Sequence, residues 1–286
     1  MNKRVSAPST DHNQSVTDQK SVVSPTSGNG IAIQIFPDSD LASRAAADEI
    51  AALIRSRASE QRCCVLGLAT GSTPVRVYQE LVRQHQDEGL SLENVITFNL
   101  DEYLPMAPDA QQSYVRFMQQ NLFNHVDIPA QNIHIPDGTI ATEDVPNYCR
   151  DYEDRIIRAG GIDLQLLGIG RTGHIGFNEP GSTADSITRM VTLDPVTRAD
   201  AANDFGGIEK VPSHAITMGV RTILQSRRIR LLAFGDHKAS IVQRTIEGEV
   251  STDIPATYLQ SHSDVQFLLD PDAAALTSPT AFANEL

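Results

Sequence analysis

The chain has 286 residues, 40% of them hydrophobic, which is enough for the core of one large α/β domain or of two smaller domains. Its 23 basic and 36 acidic residues give a formal net charge of -13, which argues against a nucleic-acid partner because phosphate backbones require a basic face. No apolar run reaches the roughly 18 residues that span a bilayer, and the N-terminus lacks a hydrophobic signal core. The three cysteines show no disulfide or metal-binding spacing, so we expect a cytoplasmic protein without a membrane segment.

Residues 1–30 are rich in Ser, Thr, Gln and Asn and contain few large apolar side chains. Such a segment cannot bury enough surface to offset the entropy that is lost on ordering. We therefore expect a disordered N-terminal tail over 1–30 and a single domain over 31–286.

From residue 31 onward, apolar runs alternate with amphipathic runs in the periods of strands and helices. The pattern predicts, in chain order, a strand over 31–36, a helix over 40–58, a strand over 63–69, a helix over 74–88, a strand over 94–100 and a helix over 114–125. It then predicts a helix over 144–159, a strand over 163–169, a strand and helix over 230–234 and 238–247, and a last strand over 265–269. This alternation is typical of a three-layer α/β/α sandwich, with a mostly parallel, Rossmann-like sheet and helices on both faces.

The polar segment near 193–213 interrupts this alternation and shows no clear period. It is interpreted as an irregular excursion from the domain. Two readings stay open at this point, a lid that closes over a substrate and an ordinary surface loop.

A turn of small residues follows the strand predicted over 63–69 and leads directly into a helix. It consists of Thr70, Gly71, Ser72 and Thr73, and Pro74 then suits the first helical position because its missing N–H would have no helical partner. Free N–H groups and the positive end of the helix dipole form a site suited to phosphate or carboxylate. Alone the signal is weak, since Ser or Thr before a helix is usually a cap.

Two acids, Asp101 and Glu102, stand where the strand predicted over 94–100 stops. If both carboxylates point into one crevice, repulsion and desolvation raise the pKa of at least one of them toward the range of a general base. Acids at strand ends also serve as helix caps, which is the alternative interpretation.

The glycine-rich turn after the strand predicted over 163–169 carries His174 and, five residues later, Glu179. A histidine whose second nitrogen donates to a carboxylate is fixed in one tautomer and suited to acid–base work near neutral pH. A lone histidine here would more often cap a helix. However, the carboxyl ends of parallel strands open into one crevice, so the three strand ends together predict proton transfer on a small phosphorylated molecule, without metal or cofactor.

Three motifs carry a resemblance to a known family. Thr70-Gly-Ser-Thr-Pro, Thr97-Phe-Asn-Leu-Asp-Glu-Tyr and Gly173-His-Ile-Gly-Phe-Asn-Glu-Pro, in this order and at these separations, resemble the glucosamine-6-phosphate deaminases. The similarity covers nearly everything after residue 31, whereas the related 6-phosphogluconolactonases have different acidic and histidine-loop motifs. The resemblance implies an isomerising deaminase that converts glucosamine 6-phosphate, a small-molecule sugar phosphate, to fructose 6-phosphate and ammonia. It leaves open whether the chain forms a homo-oligomer.

The resemblance also implies roles for individual residues. Asp101 would move a proton between C2 and C1 of the open-chain amino sugar, His174 would promote ring opening, and Glu179 would orient its imidazole. The residues expected to bind the substrate are Thr70, Gly71, Ser72, Thr73, Glu102 and Lys238.

Two positions depart from the family's pattern. Thr172 stands two residues before the histidine, where an aspartate is usual, and Asn203 stands where relatives carry a phosphate-binding arginine, unless Arg171 or Arg198 substitutes for it. Two alternatives to the deaminase therefore stay open. One is a relative with a shifted sugar or sugar-phosphate substrate, including hydrolysis of the 6-phosphogluconolactonase type, and the other is a non-catalytic sugar-phosphate sensor.

Overall fold

The main sheet has eight strands within 22–24 and 31–278, the residues that the computed structural model describes. In spatial order they are β1 (Val22–Ser24), β2 (Ile31–Ile35), β11 (Val265–Leu269), β10 (Ile229–Ala233), β7 (Leu164–Leu167), β3 (Cys64–Leu68), β4 (Val95–Asn99) and β6 (Ile133–His134). All neighbours run parallel except β1, which pairs antiparallel with β2. The predicted α/β fold with a mostly parallel sheet is thereby confirmed.

Helices cover both faces of this sheet. They are α1 (Ser39–Ser59), α2 (Val75–Glu88), α3 (Tyr114–Asn121), α4 (Val145–Arg158), α6 (Val220–Leu224), α7 (Ala239–Glu247) and α8 (Pro271–Ala274). The remaining helix, α5 (Pro195–Phe205), packs instead against a smaller core that contains Tyr103 and Phe177. Ile50, Tyr78 and Met118, from α1, α2 and α3, belong to the core on one face. Tyr152 and Ile246, from α4 and α7, belong to the core on the other face, and burial of each such side chain contributes roughly 1.5–3 kcal/mol.

A second, antiparallel sheet was not predicted from the sequence. Its three strands, within the described part of the chain, are β5 (Asp101–Leu104), β9 (His214–Thr217) and β8 (Arg189–Thr192), with β9 in the centre. Leu100 joins the two sheets, because its N–H donates to Leu68 in β3 at 3.0 Å and its carbonyl accepts from Met218 at 2.7 Å. All four residues of β5 are buried, so this short strand shows none of the polar–apolar alternation that marks a half-buried strand.

The segment near 193–213 is not the irregular excursion that was predicted, since it contains α5. The Asp194 side chain caps this helix by accepting from Val196 N–H at 2.7 Å, and Gly206, with φ of 68°, ends it. Thr197 is the only residue that α5 buries, so the sequence offers no apolar period to recognise. A lid role for the segment stays a prediction.

The predicted N-terminal tail overlaps the described residues only at Val22–Ser24, which form β1. Residues 1–21 and 25–30 lie outside the described part of the chain, so the expectation of disorder there stays a prediction. Within the described part, no helix combines the length and the apolar character needed to cross a membrane.

Candidate active site

A cavity of about 220 Å³ opens beside the carboxyl ends of β3, β4 and β7. Small residues from the loops after β3 and β7 form much of its wall, together with one carboxylate, one imidazole and two aromatic rings. The lining residues are Ala69, Thr70, Gly71, Ser72, Thr73, Leu100, Asp101, Tyr114, Gly168, Ile169, Gly170, His174, Gly176 and Phe177. The three strand ends that the sequence expected to converge therefore meet at one cavity.

The turn Thr70–Thr73 forms the wall next to α2. Among the described residues, none accepts a hydrogen bond from the four backbone N–H groups of this turn. Because α2 begins at Val75, its N-terminal end adds a partial positive charge at the same place. The arrangement suits an anion that approaches the turn from the cavity.

Asp101 also lines the cavity and is only 5% exposed. Burial raises the pKa of Asp101 to about 8, the negative charge of Glu102 adds to the rise, and the Phe177 N–H opposes it. The loop after β7 approaches this carboxyl group closely, since a Cβ at Gly176 would lie 3.2 Å from Oδ2 of Asp101. Gly176 also has φ of 57°, so a glycine is required there on two grounds.

Glu102 does not enter the cavity, which corrects the prediction that it binds substrate beside Asp101. Successive residues of a strand point to opposite faces, so the two acids of β5 diverge. Oε2 of Glu102 accepts from Ser113 Oγ at 2.9 Å, from Tyr114 N–H at 2.8 Å and from Val115 N–H at 3.2 Å. Glu102 therefore caps α3, the alternative left open by the sequence, and it holds Tyr114 against the cavity.

The electrostatic setting of Glu102 reflects this capping role. Burial raises the pKa of Glu102 to about 7, while the hydrogen bonds from Ser113, Tyr103, Val115 and Tyr114 oppose the rise. Like Asp101, it is a carboxyl group kept from water, but its acceptor atoms are occupied by backbone and hydroxyl donors.

His174 faces the cavity with one edge of its ring and a cluster of oxygens with the other. Nδ1 lies 3.0 Å from Oε2 of Glu179, 2.9 Å from Oγ1 of Thr172 and 3.5 Å from Oγ1 of Thr197. A ring nitrogen next to a carboxylate is satisfied as an N–H donor, so this network assigns the proton to Nδ1 and leaves the lone pair of Nε2 to the cavity. The ring packs tightly, since a Cβ at Gly170 would lie 2.0 Å from Nε2.

Glu179 lies behind the imidazole rather than in the cavity lining, and it is 7% exposed. Oε2 contacts His174 and Thr172, and Oε1 accepts from Oγ1 of Thr197 at 2.5 Å. Burial acts to raise the pKa of Glu179, but the hydrogen bond and charge of His174, with the hydroxyls of Thr197 and Thr172, outweigh it and hold the pKa below its usual value. The carboxylate is therefore anionic near neutral pH.

Lys238 does not line the cavity, but it contacts a residue that does. Its Nζ donates to the carbonyl of Ile169, a lining residue, at 2.8 Å. Burial lowers the pKa of Lys238, although the charge of Asp200 opposes the change. The ammonium group is thus in direct contact with a residue that lines the cavity.

Arg171 and Arg198, the two arginines near Asn203 that could bind an anion, both contact protein groups in this structure. Arg171 forms an ion pair with Asp200 at 3.4 Å, and Nη2 of Arg198 donates to the carbonyls of Ile208 and Val211 at 3.0 and 3.1 Å. Asn203 itself lines a neighbouring cavity of about 610 Å³, and the two cavities share Gly71, Ser72 and Tyr114.

Sequence reasoning missed two residues of this site, Thr197 and Tyr114. Thr197 comes from α5, 18 positions after Glu179, and it lies in a segment without a recognisable period. Tyr114 follows the Ser113 cap of α3, and no local pattern distinguishes its ring from an ordinary core residue.

Comparisons with known proteins point to one family. Residues 37–267 match the family described as "Glucosamine-6-phosphate isomerases/6-phosphogluconolactonase". The chain is 46% identical over 226 residues to a glucosamine-6-phosphate deaminase of Thermoanaerobacter sp., covering 79% of this chain and 88% of the relative. It is 48% identical over 234 residues to one of Geobacillus sp., covering 82% and 91%. A deaminase-like protein of Bacteroides thetaiotaomicron is 49% identical over 226 residues, and there the chain spans 34% of the relative's length.

Solved structures with similar folds include members of the same family. A monomeric glucosamine-6-phosphate deaminase superposes with a TM-score of 0.81 at 43% identity, covering 85% of this chain and 99% of that one. A 6-phosphogluconolactonase from Trypanosoma brucei has a TM-score of 0.69 at 22% identity, covering 90% and 100%. The second likeness concerns the fold alone.

Proposed function

The chain belongs to the family of glucosamine-6-phosphate isomerases and 6-phosphogluconolactonases, and from this premise we propose that it is an isomerising deaminase. Its reaction converts glucosamine 6-phosphate to fructose 6-phosphate and ammonia. The observation that carries the proposal is that Asp101 and His174 line one cavity beside the Thr70–Thr73 turn. The deaminases, at 46–48% identity, favour this chemistry over lactone hydrolysis.

The first step is opening of the sugar ring at His174. Nε2 takes the proton of the C1 hydroxyl and returns it to the ring oxygen as the bond between C1 and that oxygen breaks. The negative charge of Glu179, 3.0 Å from Nδ1, stabilises the imidazolium that forms between the two transfers. The product is the open-chain aldehyde.

The second step is proton transfer at Asp101. Its carboxylate takes the proton from C2 of the aldehyde while the aldehyde oxygen takes a proton from water, which gives an enolamine. Asp101 then returns its proton to C1, which gives the 2-imine. Water then adds to the imine and ammonia leaves, which yields the ketone. A carboxyl group with a pKa of about 8 both accepts and releases a proton near neutral pH, as these two proton transfers require.

The phosphate group of the substrate binds at the Thr70–Thr73 turn. The N–H groups of Thr70–Thr73 and the N-terminal end of α2 bind its oxygens, and Lys238 adds a positive charge nearby.

We also propose that the protein works in the cytoplasm. All three cysteines are free thiols, and Cys63 is exposed. An exposed thiol that persists unpaired is typical of a reducing compartment.

Ammonia release from glucosamine 6-phosphate by the purified protein tests the proposal directly. Asp101→Asn removes the base, so we expect kcat to fall by about 10²–10⁴-fold. Asp87→Asn, at an exposed position of α2, is the matched control and should leave kcat unchanged. Undiminished turnover in the Asp101 variant would exclude this residue as the base, and hydrolysis of 6-phosphogluconolactone without ammonia release would replace the proposed activity.

A further inference from the structure

Thr197 makes a contact that the mechanism above does not use. It lies on α5, is 7% exposed, and its hydroxyl is 2.5 Å from Oε1 of Glu179. Within the described part of the chain, this hydroxyl is the only hydrogen-bond partner of Oε1, whereas Oε2 has both His174 and Thr172. The two oxygens of the carboxylate are thus held from different elements.

The direction of each hydrogen bond follows from the donors available. Nδ1 of His174 is a donor, so the Thr197 hydroxyl, 3.5 Å away, cannot give its single proton to that atom. The proton therefore goes to Oε1 of Glu179, and a lone pair of Oγ1 faces the imidazole. With Oε1 fixed, rotation of the carboxylate is blocked and Oε2 stays directed at Nδ1.

Thr172 cannot provide this restraint by itself. Its hydroxyl is 3.2 Å from Oε2, the same oxygen that His174 contacts, so it leaves the position of Oε1 undetermined. If Oε1 lost its partner, a nearly buried carboxylate oxygen would be left unsatisfied, and the group would turn to find another donor.

The helix that carries Thr197 is itself tied down. Asp194 caps its first turn, and Arg198 binds the carbonyls of Ile208 and Val211 on one side. On the other side, the ion pair of Asp200 with Arg171 joins α5 to the loop that carries His174. Thr197 therefore contacts Glu179 from a helix whose position is held by several contacts.

We propose that Thr197 is a positioning residue, which orients Glu179 so that His174 keeps its proton on Nδ1 and its Nε2 lone pair in the cavity. The inference rests on the proposed deaminase activity only for its kinetic consequence. The tautomer of His174 is a property of the protein that is measured without substrate.

Thr197→Val removes the hydroxyl and keeps the shape of the side chain. We expect kcat with glucosamine 6-phosphate to fall by about 10- to 100-fold, by analogy with the loss caused by removing a group that orients a metal-bound histidine. KM should change by no more than about threefold, because the phosphate contacts are untouched. Thr197→Ser retains the donor and should restore kcat to within about threefold of the unsubstituted protein.

Thr245→Val is the matched control. Thr245 is fully buried on α7, and its hydroxyl has no hydrogen-bond partner within the described residues, so its removal should leave kcat unchanged. Thermal unfolding of all three variants identifies any general loss of folding.

Two further measurements separate positioning from a structural role. Nitrogen-15 spectra of labelled histidine should show the proton of His174 on Nδ1 in the unsubstituted protein and a mixture of tautomers in Thr197→Val. With substrate deuterated at C2, the isotope effect on kcat should fall toward unity in that variant, because ring opening becomes slower than proton abstraction by Asp101. An unchanged tautomer and an unchanged kcat would overturn the inference. Failure of the unsubstituted protein to release ammonia would instead overturn the proposed function, and the spectra would still decide the role of Thr197.

Discussion

The two walls of the cavity that carry acid–base groups are built differently. Asp101 lies on β5, where it pairs with Thr217 of β9 in a hydrogen-bonded ladder. His174 lies on a loop and is held by side-chain oxygens of Thr172, Glu179 and Thr197. One site therefore combines a group that is fixed by backbone pairing with a group that is fixed by side-chain hydrogen bonds. Substitutions should therefore act in different ways on the two walls.

Among substitutions that keep both acid–base groups, the largest effect is expected at the loop wall, from Gly170→Ala. The added Cβ would lie 2.0 Å from Nε2 of His174, and the ring cannot retreat without breaking its contacts at Nδ1. We expect kcat to fall by about 10²-fold, the loss that a displacement of about 1 Å causes in a catalytic group. Asp87→Asn, at an exposed position of α2, is again the control. Equal activities of the two variants would show that the loop wall adjusts more easily than its contacts indicate.

At the strand wall, Asp101→Asn should stabilise the fold while it lowers kcat. The pKa of Asp101 is about 8 in the folded protein, above its ordinary value of 3.8. Between these values the folded state holds a proton that the unfolded state has released, so stability falls as the pH rises toward 8. Removing the acid should raise the free energy of unfolding at pH 8 by about 2 kcal/mol, measured by denaturant titration, with a smaller gain at pH 4. A loss of stability at pH 8 would show that Asp101 is held ionised by contacts other than those described.

A smaller change is expected from Glu102→Gln, which leaves β5 in place. The amide cannot accept from all four donors around it, so the start of α3 should lose about 1 kcal/mol of stability. The substitution also removes the negative charge that helps to raise the pKa of Asp101. The rising limb of the profile of kcat/KM against pH should therefore move to lower pH. A shift to higher pH would mean that the two acids do not interact through their charges.

The sequence predicted the parallel sheet well because both faces of that sheet are buried. Strands such as Val265–Leu269 are continuous apolar runs, and helices such as Val75–Glu88 show one apolar stripe, so both can be recognised locally. The order of the parallel strands then brings Thr70, Asp101 and His174 together, as the strand-end argument predicted.

The parts that could not be predicted depend on contacts between distant segments. The direction of Glu102 follows from β5 pairing with β9, which lies more than 100 residues later in the chain. The partnership of Thr197 with Glu179 follows from the packing of α5, whose exposed and buried positions show no period. In both cases tertiary pairing, rather than local pattern, decides which polar groups meet.

The two backbone hydrogen bonds of Leu100 have a consequence for the thermal stability of the site. These hydrogen bonds connect the parallel sheet to the antiparallel one immediately before Asp101, and Thr217, opposite Asp101, receives the N–H of Phe177 from the histidine loop. The carboxyl group of Asp101 therefore cannot shift unless strands of both sheets separate. Heat inactivation of the enzyme should coincide with cooperative melting of the domain rather than precede it, and backbone amides around residue 101 should exchange with deuterated water as slowly as those of the central strands.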